Sequence, residues 1–496
     1  MNAAFVVVVL YIALMFAISF ALTKRSKSTH ELFVAKKELG IVLLVPLIFG
    51  EVIAASSTVG TAQGGYTQGI SAIWTFVGKG LGSIVFAFLL VKFFDAAGKA
   101  GVMSVPEAFK WRFDNRIRIL MLVVFIIPIG LMCAVQCRAL ASLVGPMIEV
   151  DIDILIVIAG VCFGILALSG IKGIARINVV NAFVIIVGIV VACAACVVSQ
   201  GGLAELFAKM PQGYDNLVYP SLGEIGGQFT SATLAFCVTV TPTNACFSTG
   251  SPKTSRRALV ITGILTCVFA FFPTLIGMCG AVALPGIDPN TVLYAMPASI
   301  SPALSTMVCM AVLAAVVSTA PFFFLSFSTV FVRDIALQLK PDMSQGSQMK
   351  VAVAATALYT VFVIFLSFHT SSIFSQVIGA NHIKAAAGFL ILVALVSKKL
   401  TNTAAFWSLL ISGGLSIYWY FSGSVFGLDV DPLWPALAIA AALMIIISFL
   451  DRRHSGSDYQ DFSERRALAL GSGGTDNPSS SVGKVLRESA AGDNKQ

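Results

Sequence analysis

The segment AAVVSTAPFFFLSFSTVFVRDI, residues 314–335, places two adjacent hydroxyl side chains inside a long apolar run. Ser318 and Thr319 stand near its start, Pro321 follows them almost at once, and the apolar run closes on Arg333. A stretch of about 20 apolar residues is long enough to cross a bilayer as a helix. Hydroxyl groups at that depth need a hydrogen-bond partner or an ion, so the pair calls for a structural or a functional explanation.

The composition of the whole chain places this segment in a membrane protein. Of the 496 residues, 57% are hydrophobic and 11% are charged, and the mean hydropathy is +0.91. An average soluble domain carries about 25% charged residues, so we predict an all-α polytopic protein of the lipid bilayer. The first apolar stretch lacks a basic leader and a small-residue cleavage site, which predicts a retained span.

The cysteines and histidines do not indicate an enzyme. All ten cysteines lie in apolar segments, where a free cysteine behaves as a small hydrophobe. Cys193 and Cys196 form a CxxC in a continuous apolar stretch, and we interpret them as buried thiols. The four histidines form no metal-ligand cluster, and the sequence contains no nucleophile–base motif.

Thirteen apolar segments are candidates for membrane spans. Numbered as spans 1–13, they lie near residues 3–23, 40–63, 71–92, 117–146, 152–170, 178–200, 225–248, 257–282, 302–332, 350–369, 373–397, 402–422 and 434–450. The tail that follows is rich in Ser, Gly and charged residues and is predicted to be disordered.

The distribution of basic residues supports this number of spans and orients the chain. The loops after spans 1, 3, 5, 7, 9 and 11, together with the tail, hold 28 of the 32 lysines and arginines, whereas the alternate loops hold only Lys209. Cytoplasmic loops are enriched in these residues. We therefore predict an outside N-terminus and a cytoplasmic C-terminus in the cell membrane, plasma or inner. The net charge of +8 then reflects topology and not nucleic-acid binding.

Spans 2 and 7 both contain residues that interrupt helices. Span 2 carries Gly50, Gly60 and the polar run 56–58, and span 7 carries the run 239–241 just before Pro242. Proline removes a helix hydrogen bond, and non-helical backbone at membrane depth persists only where it is buried or lines a cavity. The two spans are five apart and run in opposite directions. This arrangement predicts two inverted repeats, spans 2–6 and spans 7–11, as in secondary transporters.

The repeats divide the chain into five regions. Residues 1–39 form the peripheral first span and its lead-in, 40–200 the first repeat, and 201–400 the second repeat. Residues 401–450 form the peripheral spans 12 and 13, and residues 451–496 form the disordered cytoplasmic tail.

An ordered set of motifs resembles the sodium:solute symporter family. GEVIAASSTVGTAQGGYTQGISAIW (50–74) is similar to its second span, and ELFVAKKELG (31–40) to the lead-in. SVPEAFKWRF (104–113) is similar to the loop after its third span, and residues 314–335 to its ninth span, with an A-x-x-S-T core and a closing RD. The resemblance implies a LeuT-type fold. It also implies alternating-access symport of a small solute with sodium as the co-transported ion.

The resemblance further implies a sodium site between spans 2 and 9. Its ligands would be the carbonyls of Gly50, Ile53 and Ala315 and the hydroxyls of Ser318 and Thr319. Unwound carbonyls beside a half-helix C-terminus supply the partial negative charge that a monovalent cation needs. The alternative is that both hydroxyls bond to carbonyls of their own helix.

Two departures from the family pattern lie near the expected solute. In span 7 the usual G-x-x-G-Q-P is replaced by C-V-T-V-T-P, residues 237–242. After the S-T pair, where the family often has a polar residue, the sequence continues Ala320, Pro321 and Phe322. The solute preferences of well-known members therefore do not carry over.

Ionisable residues inside the predicted spans indicate the solute site, since such groups are costly in a membrane. Glu51 and Lys79 lie at similar depth and are predicted to pair, or Lys79 binds an anionic group of the solute. Lys384 could bind an anion in the same way, and Arg138 is expected to reach the interface. The excess of basic groups favours a carboxylate or an amino acid. The candidate solute contacts are Glu51, Ser56, Lys79, Gln136, Thr239, Thr241 and Lys384.

Two alternatives use the same fold. Proton coupling through Glu51 would replace sodium coupling, and an uncoupled carrier or channel would show no dependence on either ion. The identity of the solute, the sodium stoichiometry and the oligomeric state do not follow from the sequence.

Overall fold

In the computed structural model of the chain, the regular secondary structure of the described residues is helical. The structure describes residues 3–21, 29–34, 39–148, 150–369, 372–422, 430–451 and 457–471. No strand occurs within these ranges, which confirms the all-α class. The prediction of disorder for residues 472–496 lies outside the described residues.

Each of the thirteen predicted spans overlaps one helix or a series of consecutive helices. In chain order these are Ala3–Ala21 (span 1); Ile41–Val52, Ser56–Gly60 and Thr61–Gln68 (span 2); Trp74–Val85, Phe86–Leu90 and Val91–Lys99 (span 3); Asn115–Ile148 (span 4); Ile152–Ala167 (span 5); Gly170–Ser199 (span 6); Leu222–Phe236 and Val240–Ser248 (span 7); Pro252–Phe269 and Phe271–Ala283 (span 8); Pro302–Val330 and Phe331–Ala336 (span 9); Gln345–Phe368 (span 10); Ile373–Val396 (span 11); Asn402–Ser422 (span 12); and Leu433–Leu450 (span 13). Nine helices of the described ranges are long and apolar enough to cross a membrane. The number of thirteen crossings stays a prediction.

Span 9 lies at the centre of the molecule. Every residue from Ala311 to Val330 is buried, and the helix continues through Pro321. Span 9 packs so closely on span 6 that a Cβ atom added at Gly188 would lie 2.7 Å from the Ala311 Cβ. A helix that is apolar all round is a buried helix, and small residues let the backbones of membrane helices approach. Most of the segment 314–335 therefore lies in the core of the protein.

The Arg-Asp pair at the end of span 9 fastens it to the helix Val105–Arg112, which connects spans 3 and 4. Arg333 Nη2 lies 2.7 Å from Glu107 Oε1 and donates to Gly101 O at 2.9 Å. Asp334 accepts a hydrogen bond from Ser104, the residue that also caps the connecting helix. The closing motif of the span is thus explained by contacts with the loop between spans 3 and 4.

A helix, Ser457–Gly471, occupies the first part of the tail, so the prediction of disorder for all of 451–496 is wrong there. We call it the tail helix. Phe462 is 2% exposed, and its ring lies 5.3 Å from that of Trp111 and 6.0 Å from that of Phe93. The guanidinium group of Arg112 stacks on the Phe462 ring and donates to Ala394 O. This helix was not predicted from the sequence because its average hydropathy is low. Its packing depends on two aromatic residues, Tyr459 and Phe462.

Phe462→Ala is expected to loosen the tail helix. Truncation of a buried Phe costs roughly 3–5 kcal/mol in a core, and here the loss falls on one docked helix and not on global stability. Limited proteolysis should cleave the variant faster than the unaltered protein between span 13 and the tail helix. The unfolding temperature of the membrane part should change little. Ser463→Ala, at the exposed neighbouring position, is the control. Equal protection of both variants would contradict the packing assigned to Phe462.

Candidate functional site

Two hydroxyl groups of span 9 face the carbonyl of Gly50, near the end of the first helix of span 2. Ser318 Oγ and Thr319 Oγ1 each lie 2.7 Å from Gly50 O. They also lie 2.8 and 2.9 Å from Ala315 O in their own helix. All four residues are buried. Four of the five residues predicted to bind sodium therefore form one compact oxygen cluster. Each hydroxyl contacts both the carbonyl of span 2, as the sodium site requires, and a carbonyl of its own helix, as the alternative predicts.

The backbone of span 2 leaves the α-helix directly after this cluster. Ile53, the fifth predicted ligand, has φ −89° and ψ 79°, so its carbonyl no longer follows the helix axis. The amide of Ala54 donates to Ser57 Oγ at 2.7 Å, and the amide of Ala55 donates to a side chain of span 4 at 3.0 Å. Side chains thus supply the partners that a broken helix needs at membrane depth, and the predicted interruption of span 2 is confirmed.

The span 4 side chain at the break is Gln136. Its Oε1 atom accepts the Ala55 amide hydrogen, and the residue is fully buried. Gln136 does not border the cavity described below. The sequence predicts Gln136 as a solute contact. In the structure its side chain instead binds the backbone of span 2 at the break.

Asn178 of span 6 completes the surroundings of the oxygen cluster. Its side-chain amide donates to Ser318 O at 3.3 Å, and a Cβ atom added at Gly50 would lie 2.9 Å from Asn178 Nδ2. This residue was not predicted, because it stands at the boundary assigned to span 6 and next to a stretch that contains Arg176. The only signal was an amide residue inside what proves to be a long helix, Gly170–Ser199.

Span 7 is interrupted just before its proline. The helix Leu222–Phe236 ends, Thr239 adopts an extended conformation, and a second helix begins at Val240. Pro242 therefore lies in the first turn of the second helix, where its missing N–H would have had no partner. The Thr239 hydroxyl donates to Ala235 O at 2.9 Å across the break. Both predicted interruptions are present in the structure.

A cavity of about 50 Å³ lies between the two interrupted spans. Six of the seven candidate solute contacts border it, and Gln136 is the exception. Asn381 adds an amide group that the sequence did not single out. The residues around the cavity are Glu51, Val52, Ala54, Ser56, Lys79, Phe125, Ile129, Met132, Ala232, Phe236, Thr239, Val240, Thr241, Phe323, Asn381 and Lys384.

The ionisable groups of the cavity do not neutralise one another by contact. The predicted pair of Glu51 and Lys79 is wrong, since no ion pair joins them among the described residues. Lys79 Nζ instead lies 4.3 Å from the centre of the Phe76 ring. Lys384 Nζ lies 3.5 Å from Thr239 Oγ1. The cavity is therefore bordered by ionisable groups that make no ion pair with one another.

Gly50→Ala is expected to destabilise the protein, because the new methyl group would meet the Asn178 amide at 2.9 Å and the Ser318 Cβ at 3.2 Å. Overpacking of this kind costs roughly 1–3 kcal/mol. The unfolding temperature of the purified protein should fall, and Asn178→Ala in the same chain should recover part of the loss. Gly40→Ala is the control, since an added Cβ there meets nothing within 4 Å. An unchanged unfolding temperature in Gly50→Ala would contradict the close packing at this point.

Comparison with known proteins places these features in a family. The chain matches the sodium:solute symporter family over residues 32–412. The sodium/pantothenate symporter of Escherichia coli (strain K12) is 23% identical, over 68% of this chain and 73% of that protein. The sodium/pantothenate symporter of Haemophilus influenzae is 21% identical, over 73% of this chain and 77% of that protein.

Solved structures share the fold. A Na+-coupled sialic acid symporter in a substrate-bound outward-open state aligns with a TM-score of 0.75 at 17% identity, over 91% of this chain and 98% of that chain. Mhp1, a nucleobase-cation-symport-1 family transporter in a closed conformation, aligns with a TM-score of 0.56 at 14% identity, over 88% of this chain and 99% of that chain. The fold is the LeuT-type fold that the motifs imply. The chain belongs to the sodium:solute symporter family and is a sodium-coupled membrane transporter, not an enzyme.

Proposed function

We propose that the protein takes up a carboxylate-bearing small solute together with sodium, and that sodium binds between spans 2 and 9. The ligands would be the carbonyls of Gly50, Ile53 and Ala315 and the hydroxyls of Ser318 and Thr319. The observation that carries the proposal is the approach of both hydroxyl oxygens to within 2.7 Å of the Gly50 carbonyl across two separate helices.

The chemistry of the cluster suits a monovalent cation. Its oxygens are neutral, and the carbonyl end of the helix Ile41–Val52 adds partial negative charge. Each hydroxyl now donates its single hydrogen to a carbonyl, and both can turn that hydrogen away and offer a lone pair instead. Sodium would then replace hydrogen bonds between spans 2 and 9 with ion contacts, so its binding changes what holds the two repeats together.

The cavity supports a carboxylate as the solute group. Lys79 and Lys384 border it from spans 3 and 11, against one acid, Glu51. The named solutes of the relatives, pantothenate and sialic acid, are organic acids. An amino acid is the other solute class that the sequence favours, since Glu51 could accept from its ammonium group.

The protein would lie in the cell membrane with its N-terminus outside and its C-terminus in the cytoplasm. It would carry the solute by alternating access. Sodium and solute bind from one side, the repeats rock, and both leave on the other side. A membrane potential of 100 mV supplies about 2.3 kcal/mol for each sodium ion moved inward, which corresponds to roughly a fifty-fold solute gradient. Coupling requires that each ligand raises the affinity for the other.

Ser318→Ala combined with Thr319→Val should weaken sodium binding at least about tenfold, the change that 1.4 kcal/mol produces. The double variant removes two oxygens and keeps a similar volume. Sodium-dependent uptake into proteoliposomes and sodium-dependent thermal stabilisation of the purified protein both measure the effect. Ser326→Ala is the control, because its hydroxyl bonds only to Phe322 O in its own helix. A double variant with unchanged sodium dependence in both measurements would rule out this site.

Proton coupling through Glu51 is the second candidate, because Glu51 Oε1 is buried without a hydrogen-bond partner. Glu51→Gln separates the two mechanisms. Under sodium coupling, the sodium concentration for half-maximal stabilisation changes little in this variant, and a pH gradient alone drives no accumulation in the unaltered protein. Accumulation that follows the pH gradient and disappears in Glu51→Gln would favour proton coupling.

A further inference from the structure

A groove of about 740 Å³ lies between the ends of spans 11 and 13. It is separate from the cavity between spans 2 and 7, because the two share no bordering residue. Spans 11 and 13 are separated by one span and run in the same predicted direction, so the groove lies on the side that carries the tail. The residues that border it are Val393, Ser397, Lys399, Leu400, Met444, Ile445, Ser448 and Phe449.

The floor of the groove is apolar and open to the bilayer. Ile445 is 70% exposed and Phe449 is 62% exposed, although both belong to the helix of a predicted membrane span. Val396, at the neighbouring end of span 11, is 83% exposed. Apolar side chains exposed on this scale mark a surface that contacts lipid. The body of a ligand that fits this floor is therefore a hydrocarbon chain.

The rim of the groove is polar and positively charged. Lys399 is exposed, and no carboxylate of the described residues lies within 4.0 Å of its ammonium group. The Ser397 hydroxyl accepts the Lys399 amide hydrogen at 3.3 Å, so it can still donate its own hydrogen to a ligand. The sequence directly after the two spans, residues 397–400 and 451–453, holds four basic residues and one acidic residue. The rim therefore favours an anionic group.

A second hydroxyl at the groove makes no hydrogen bond within the described part of the chain. Ser448 Oγ is buried and has no partner there. In span 12, by contrast, Ser412 and Ser416 each donate to a carbonyl one turn earlier, as serines in membrane helices often do. A buried hydroxyl without a partner is costly. A ligand with an acceptor atom just below the rim would remove that cost.

We propose that this groove binds an anionic phospholipid. Its phosphate lies at Lys399 and the Ser397 hydroxyl, an ester carbonyl lies beside Ser448, and one acyl chain follows the apolar floor along span 13. The inference goes beyond the proposed function, because this lipid is held and not transported. In the proposed orientation the groove faces the cytoplasmic leaflet, where basic pockets between spans bind anionic headgroups.

Charge distinguishes this lipid from the other possible occupants. A symmetric contact between two copies of the chain at this groove would place the same basic residues opposite each other, and like charges repel. A zwitterionic phospholipid has the same acyl chains and a phosphate, but its own ammonium group compensates the phosphate charge. An anionic phospholipid matches both the apolar floor and the basic rim.

Thermal unfolding of the purified full chain in detergent, after removal of bound lipid and without sodium or solute, tests the inference. Dioleoylphosphatidylglycerol and dioleoylphosphatidylcholine carry the same acyl chains and differ in headgroup charge. The anionic lipid should reach half-maximal stabilisation at a concentration about fivefold lower or less, the factor that one lysine near the membrane surface contributes. Equal concentrations for the two lipids, or equal stabilisation by free glycerol 3-phosphate, would overturn the inference.

Two adjacent lysines provide a matched pair of variants. Lys399→Met should raise the half-maximal concentration of phosphatidylglycerol about fivefold and leave that of phosphatidylcholine nearly unchanged. Lys398→Met is the control, because Lys398 does not border the groove and lies 5.9 Å from the Tyr459 ring of the tail helix. Both lysines are exposed, so both variants should fold. If Lys399→Met has no effect, or the same effect as Lys398→Met, the headgroup is not bound at this rim and the inference is wrong.

Ile445→Trp tests the apolar floor. The larger side chain would fill part of the groove, so phosphatidylglycerol should stabilise this variant less than the unaltered protein. Ile446→Trp is the control, because Ile446 is 54% exposed on the same helix and does not border the groove. Equal stabilisation of the two variants by the lipid would contradict the inference. A dimer of the unaltered protein that is lost in Ile445→Trp would identify a second copy as the occupant and would also overturn it.

Discussion

The structure depends on how the backbone of span 2 is satisfied where its helix ends inside the protein. Unpaired backbone groups at membrane depth cost several kcal/mol each, so the break needs partners from neighbouring helices. The hydroxyls of Ser318 and Thr319 approach the Gly50 carbonyl, Gln136 accepts the Ala55 amide, and Asn178 fastens span 6 to the same point. Spans 2, 4, 6 and 9 therefore meet at one short stretch of irregular backbone.

This stretch also links the two candidate sites. Gly50 belongs to the oxygen cluster, and the next residue, Glu51, borders the cavity together with Ala54 and Ser56. Any shift of the break moves both groups of residues at once. A shared element with two arrangements is what thermodynamic coupling between two ligands requires. The broken helix thus gives a physical reason for sodium and solute to influence each other.

Much of this arrangement could be predicted from local sequence. The hydroxyl pair, the two interruptions and the charged residues at membrane depth are conspicuous in apolar segments. The structure places the hydroxyl pair beside the first interruption and the charged residues around one cavity, although Glu51 and Lys79 do not pair. Gln136 and Asn178 could not be assigned, because the role of an amide depends on which backbone groups a distant helix leaves unpaired. The tail helix was missed since a few aromatic contacts, chiefly Phe462, outweigh its polar composition.

The tail helix has a mechanical consequence for a transporter whose repeats must move. Its contacts reach Phe93 at the end of span 3 and, through Arg112, the Ala394 carbonyl near the end of span 11. Rings and a guanidinium plane can slide over each other at little cost, whereas the hydrogen bonds to Ala394 hold a fixed length. A strap attached in this way permits small rotations and resists wide separation. We therefore expect the tail helix, through Arg112, to limit how far the ends of spans 3 and 11 can separate.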